Sequence, residues 1–179
     1  MLAIRPATVD DLDVVTELRL ALLREHADNA IYGRLRRDAE RRARPLYAAQ
    51  LRSSQEVVFL AERDGETVGI LRCVDTLGSP LLDPSRYGYV SSVYVRPPAR
   101  RHGVLRALLA AAERWARDRG LTELRLHNAA DNPTAAATWE GLGFAVAEQL
   151  RLRPIEAAPG PRRADRGADG ARAGANRWR

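Results

Sequence analysis

The chain reads as a mixed α/β fold, α+β in character, on three observations. A strand, an Arg-rich turn and an amphipathic helix follow one another across residues 87–120. Asp64-Gly65, a tight-hairpin signal, sits between two runs rich in β-branched residues. Apolar stripes at helical spacing mark residues 12–22 and again 104–116. The 179 residues, 45% of them hydrophobic, suit one domain with a sizeable core.

Taken in order, residues 2–5 form a short candidate strand. Pro6 and Thr8 then open a helix, with Thr8 and Asp11 spaced as a capping box and Leu12, Val15, Leu18 and Leu22 on its buried face. Residues 26–53 are Arg-rich and predict one or two helices broken at Pro45. Two antiparallel strands, 57–63 and 67–75, flank Asp64-Gly65. A loop over 77–86, holding Gly78, Pro80 and Pro84, leads to a strand over 87–95. Beyond the central helix, which Gly120 ends, Leu124 and Leu126 alternate with charged neighbours in a strand over 121–127. Asn132 is a good N-cap with Pro133 at the first helical position, and Gly143 closes that short helix. A last strand is expected over 144–153.

The strand, turn and helix of residues 87–120 are what the rest is built around. Val104, Leu105, Leu108, Leu109, Ala112, Trp115 and Ala116 share one helical face, opposite Arg106, Glu113, Arg114, Arg117 and Asp118. A turn feeding such a helix gathers backbone N–H groups that have no intrahelical partner and aims them, with the positive end of the helix dipole, at one point. Such a point binds phosphate. Arg100, Arg101 and His102 crowd positive charge there, which points to an anionic ligand.

These residues resemble a known family. Val93-x-Val95-x-Pro97 followed by Arg100-Arg101-His102-Gly103-Val104-Leu105 resembles the acetyl-CoA pyrophosphate loop of the GNAT N-acetyltransferase superfamily. Asn132, Ala135, Trp139, Leu142, Gly143 and Phe144 are similar to its second signature, N-x-x-A-x-x-x-Y-x-x-L-G-F, with Trp139 in place of the Tyr. The resemblance covers roughly residues 2–153. It implies a largely antiparallel central sheet, splayed at the strand after Tyr87, with helices on both faces. It also implies acetyl-CoA as co-substrate, with the pyrophosphate on the backbone N–H groups of Arg101, His102, Gly103, Val104, Leu105 and Arg106 and with charge-assisted contacts from Arg100 and Arg101. The pantetheine arm would pair with Val93, Tyr94 and Val95, where a backbone N–H would polarise the thioester carbonyl. Asn132 and Trp139 complete the expected cofactor set. Leu105 departs from the Gly or Ala of the family pattern and adds bulk where a phosphate approaches.

An ammonium acceptor must lose a proton before it attacks. Many relatives place a carboxylate near the middle of the 87–95 strand; here Ser91 and Ser92 stand, and either hydroxyl could hold a water. The indole of Trp139 does not release a proton near neutrality, so it reads as a packing residue beside the cofactor. Ser91 and His127 are the candidate catalytic residues, the latter because a histidine titrates in the useful range. Glu25, His26 or Asp28 could recognise a cationic substrate, and Tyr32, Tyr87, Tyr89 or Tyr94 could supply a phenol. The reaction expected is direct acetyl transfer to a primary amine of a small or amino-acid-like acceptor in a ternary complex. The alternative is a catalytically weak domain of this type that senses acyl-CoA or regulates a partner.

Composition bounds the remaining classes. The net charge is +6 and every basic residue is Arg. Half of that excess lies in residues 155–179, an Ala-, Gly- and Arg-rich segment expected to be a disordered tail beyond a domain spanning 1–154. The remaining charge is too mild to argue for nucleic acid. Few clustered acids argue against polycationic acceptors such as aminoglycosides. The lone Cys73 reads as a small buried hydrophobe and agrees with a reducing compartment. No apolar run suggests a membrane span or signal peptide, so a cytoplasmic location is expected. No metal site is expected. Relatives end on two strands where this sequence offers one, a shortfall that a second copy in a homodimer could fill.

Overall fold

The computed structural model describes residues 1–155, in which Met1–Ala145 is one compact unit and a second begins at Val146. Along the first unit run β1 (Leu2–Pro6), α1 (Leu12–Glu25), α2 (Ala39–Leu51), β2 (Glu56–Arg63), β3 (Glu66–Leu77), β4 (Arg86–Val95), α3 (Val104–Asp118), β5 (Leu124–Leu126) and α4 (Pro133–Gly141). The five strands lie in sequence order, antiparallel except for the parallel pair β4 and β5. A parallel pair needs a crossover, and α3 supplies it.

Local chemistry accounts for these elements. Asp64 and Gly65 both take positive φ, the geometry that lets a two-residue turn join twisted strands. Ahead of α1 the Thr8 N–H donates to Asp11 Oδ2 at 2.8 Å, the capping box read from the sequence. Asp11 in turn accepts both terminal nitrogens of Arg5 at 2.8 Å, which ties the start of α1 to β1. That guanidinium, with the Thr8 N–H, holds the Asp11 carboxyl at about 2, below the usual carboxylate range.

Two apolar layers sandwich the sheet. Phe59, Ala61, Leu71, Cys73 and Val90 pack against Val104, Leu108 and Ala112 of α3. Val58, Leu60, Ile70 and Tyr94 pack on the other face against Val15, Leu18 and Leu20 of α1 and Ala43 and Tyr47 of α2. Helices therefore cover both faces, as expected. Leu108, fully buried, joins α3 to the sheet; truncation of such a residue to Ala costs about 2–5 kcal/mol. Cys73 is buried in the same layer, and burial pushes its thiol up to about 12, so it packs as a hydrophobe.

Three expectations are corrected. Pro45 does not break the second helical segment but sits inside α2. It lies on the exposed side, where water can reach the carbonyl it leaves unpaired. Residues 26–38 are turns rather than a helix. Residues 144–153 form no strand: Val146 and Leu150 are 74% and 73% exposed, so no burial offsets the cost of extending the chain. The described part of the second unit, 146–155, contains neither helix nor strand. The expected tail lies, Ile155 apart, outside the described residues. No helix among them is long and apolar enough to cross a membrane.

Candidate active site

The site begins with a defect in β4. Ile70 pairs with Tyr94 but Arg72 pairs with Ser91, so Ser92 and Val93 together oppose the single residue Leu71. Ser92 takes φ of 53°, a conformation uncommon for a side-chain-bearing residue. The bulge resets the alternation. Val90 faces the α3 layer before it, and Val93 and Val95 return to that layer after it, while Tyr94 faces α1.

Immediately before the bulge the sheet parts. β5 pairs with β4 only over Gly88, Tyr89 and Val90, after which β4 keeps its β3 partner but has no strand on its other edge among the described residues. A cavity of about 1010 Å³ opens in that split. Its walls include β4 from Tyr89 to Val95, the turn before α3, the end of β5 and one side of α4. Ser91, His127, Val93, Tyr94, Val95, Arg100, Arg101, Gly103, Val104, Leu105, Arg106, Asn132 and Trp139 all line it, so residues nominated from distant parts of the sequence meet in one place. His102 does not line it; its Nδ1–H donates to the Arg100 carbonyl at 2.7 Å.

At one end the cavity is made of backbone. Arg101 and Gly103 have φ of 64° and 78°, curling the turn, and Ala107 is the first α3 residue whose N–H finds an intrahelical carbonyl, that of Gly103 at 3.0 Å. Among the described residues the N–H groups of residues 101–106 have no protein acceptor. A Cβ built on Gly103 would meet nothing within 4 Å, so the backbone is open to a close-fitting group. Arg101 and Arg106 are exposed at this end without a carboxylate partner among the described residues. Unpaired N–H groups, a helix N-terminus and free guanidinium groups fit a diphosphate.

Arg100 lines the cavity too, and its side chain holds partners of its own. Its Nη2 donates to both Glu25 oxygens at 2.6 and 2.8 Å, and its Nε donates to the Val95 carbonyl at 2.8 Å. The reason is topological: α1 packs on β4 and ends with Glu25 beside the turn that carries Arg100.

The other end is made of side chains. Tyr89 Oη and His127 Nδ1 lie 2.9 Å apart, joining β4 to the end of β5. Burial pushes the Tyr89 phenol up, so it keeps its proton at neutral pH. Burial and then the Glu25 carboxylate do the same for Tyr94. Ser91 Oγ accepts from Arg72 Nη1 at 3.3 Å, and Arg72 is itself paired with Glu56 in the half-buried interior. A guanidinium on its oxygen makes Ser91 a poor proton acceptor. Tyr32 and His26 line the cavity as well, their rings 5.9 Å apart; Asp28 and Tyr87 do not. Trp139 packs edge-on against Phe144 at 5.4 Å.

Sequence reading missed two features here. One is the bulge, whose only visible trace is a Ser-Ser pair in a β-branched strand. The other is a clasp in which Asn29 Nδ2 donates to Asp131 at 3.1 Å, joining the turn after α1 to the loop before α4. Inside that turn Asn29 Oδ1 accepts from the N–H groups of Ile31 and Tyr32.

A split sheet with a helix N-terminus at the mouth of the split is the architecture of an acyltransferase that takes a nucleotide-borne acyl group. The acetyltransferase (GNAT) family matches residues 20–144, and the protein belongs to that family, the acetyl-CoA-dependent N-acetyltransferases. Over 105 residues it is 36% identical to an aminoglycoside N(6')-acetyltransferase type 1 of Stenotrophomonas maltophilia, spanning 56% of this chain and 67% of that one. Over 90 residues it is 37% identical to a mycothiol acetyltransferase of Cellulomonas flavigena, covering 49% of this chain but only 26% of that protein. The apo aminoglycoside 6'-N-acetyltransferase of Acinetobacter haemolyticus superposes with a TM-score of 0.70 at 25% identity, over 87% of this chain and 99% of that one. A predicted acetyltransferase of Clostridium acetobutylicum, crystallised with acetyl-CoA, shares the fold at a TM-score of 0.70 and 18% identity, over 86% and 96%.

Proposed function

We propose that the protein transfers the acetyl group of acetyl-CoA to a primary amine of a small or amino-acid-like acceptor, by direct attack in a ternary complex, within a domain spanning 1–154. One observation carries this reading: a single cavity, lined by Arg101 and by residues 103–106 of the turn with unpaired N–H groups, runs along the open edge of β4 to Tyr89 and His127. Acetyl-CoA supplies an activated thioester. Residues 101–106 hold the diphosphate, and Val93, Tyr94 and Val95 offer main-chain groups that pair with an extended amide arm as an added strand would. A β4 N–H beyond the bulge polarises the carbonyl under attack; one preorganised donor of this type is worth about 10²- to 10³-fold in rate. Asn132 and Trp139 shape the wall opposite.

Proton removal falls to Tyr89 and His127 rather than to Ser91. With His127 as the Nε2–H tautomer the phenol donates to Nδ1, so its oxygen can accept a proton from the attacking amine while its own proton passes to the imidazole. His127 is exposed and returns that proton to water. The new C–N bond forms as the C–S bond breaks, and the thiolate takes its proton from solvent. Among the described residues Glu25 is the only acidic one lining the cavity, which suits an acceptor with one ammonium better than a polycation. Relatives named for aminoglycosides make amino sugars an essential comparison.

The test is CoA release with acetyl-CoA and a panel of amino acids, small monoamines and amino sugars. Monoamine turnover is the expected result. Heat on CoA binding with no turnover of any amine, even near pH 10 where amines deprotonate unaided, would instead establish the sensor reading that Ser91, Ser92 and Trp139 motivate.

A further inference from the structure

The ion pair between Arg100 and Glu25 ties the turn before α3 to the end of α1 within the cavity wall. Both residues line the cavity, both are partly exposed, at 44% and 39%, and Glu25 is its only carboxylate among the described residues. Arg100 precedes the run of six unpaired N–H groups directly, and its Nε–H bond to the Val95 carbonyl anchors the side chain at the end of β4. The remaining nitrogens can swing about that anchor. The other guanidinium groups at this end, on Arg101 and Arg106, are exposed and have no carboxylate partner among the described residues. Arg100 alone has two suitors: the carboxylate it holds now and a dianionic group beside the turn it introduces.

We infer that Glu25 is the acceptor's ammonium-binding residue and is masked by Arg100, which a diphosphate on the α3 turn draws away. This rests on the reading that residues 101–106 take the diphosphate. A guanidinium fork binds phosphate as well as it binds carboxylate, and the diphosphate adds charge that Glu25 lacks. Once Arg100 turns, Glu25 stands in the cavity with the Tyr94 phenol beside it and without its present partner, ready for an ammonium group. The site thereby presents its negative charge to the acceptor only when the acyl donor is in place, and an amine arriving first meets a neutralised wall.

The consequence can be measured without knowing the acceptor. If Glu25 competes for Arg100, removing its charge strengthens nucleotide binding, and only when Arg100 is present. Calorimetric titration with free CoA is therefore run on the wild type, Glu25→Gln, Arg100→Gln and the double variant. Glu25→Gln is expected to bind CoA about three- to tenfold more tightly than wild type. In the Arg100→Gln background the same change is expected to do nothing. Weaker or unchanged binding by Glu25→Gln would overturn the inference and make the pair a brace for α1. Equal gains in both backgrounds would also overturn it, because they would mean simple repulsion between Glu25 and the diphosphate. A wild type that gives no heat with CoA defeats the underlying diphosphate reading instead. Glu25→Ala, checked for its fold by circular dichroism, repeats the cycle should the Gln variant be poorly behaved.

Discussion

The two ends of the cavity are built from different materials. At the α3 end the ligand-facing groups are main-chain N–H donors held by positive φ at Arg101 and Gly103, and most side chains there could change without altering them. At the other end the groups are side chains on three separate segments: Tyr32 in the turn after α1, Tyr89 on β4 and His127 past β5. A backbone site depends on the shape of one short segment. A side-chain site depends on how remote segments are held against each other, and small shifts are felt at once.

Substitutions can break this contrast, and the largest effect is expected at Gly103. Gly103→Val forces a β-branched residue into the left-handed region and places bulk in the turn, so CoA affinity measured by calorimetry should fall about 10²-fold. Next come Tyr89→Phe and His127→Ala, each expected to lower kcat by about 10- to 100-fold while leaving CoA affinity in place. A parallel loss of CoA binding would show that the two ends are not separate. Gly33→Ala sharpens the division, because a Cβ there would lie 1.9 Å from the Ala27 carbonyl oxygen. The turn carrying Tyr32 and the Asn29 clasp must then shift, raising KM for the amine about tenfold with little change for acetyl-CoA.

Acid probes the same contrast through stability. The Asp11 carboxyl has a folded-state value of about 2, below its ordinary 3.8, so it contributes fully above pH 4 and its contribution is lost as pH falls from about 4 to 2. The loss is about 1 kcal/mol once the partial exposure of Arg5 is allowed for. Urea unfolding should show this slope in the wild type and a flatter one in Asp11→Asn. Smallest of all, Arg101→Gln should weaken CoA binding about threefold, an effect that shrinks further with added salt.

How much could be read beforehand follows the same line. The α3 turn was legible because a backbone site needs a strand, a break, a glycine and a helix start at fixed spacing, and residues 93–105 spell these out. The hairpin at Asp64-Gly65, the capping box at Thr8 and the Asn132 cap were legible for the same local reason. The partners of Arg100 were not, since its carboxylate comes from the end of α1, far away in sequence. Tyr89 could not be chosen among four tyrosines, because alternation gives Tyr87 and Tyr89 the same face, the bulge at Ser92 shifts Tyr94 by one residue, and Tyr32 lies off the strand. Pro45 misled because a proline on an exposed helical face costs less than one facing the core. The 144–153 segment misled because an alternating pattern says that a strand could form, not that anything waits to pair with it.

The forked arrangement of β4 and β5 has a last consequence. From Ser91 onward β4 is a sheet margin facing inward, with half its amides and carbonyls directed into a slot rather than to open solvent. Exposed margins invite neighbouring chains to dock and aggregate. This one is flanked by β5, α3 and α4, so a sheet from another molecule cannot reach it, while a single thin thread can. The wedge thus acts as a sieve on girth: it advertises pairing capacity to slender amide-bearing chains and withholds it from everything broader.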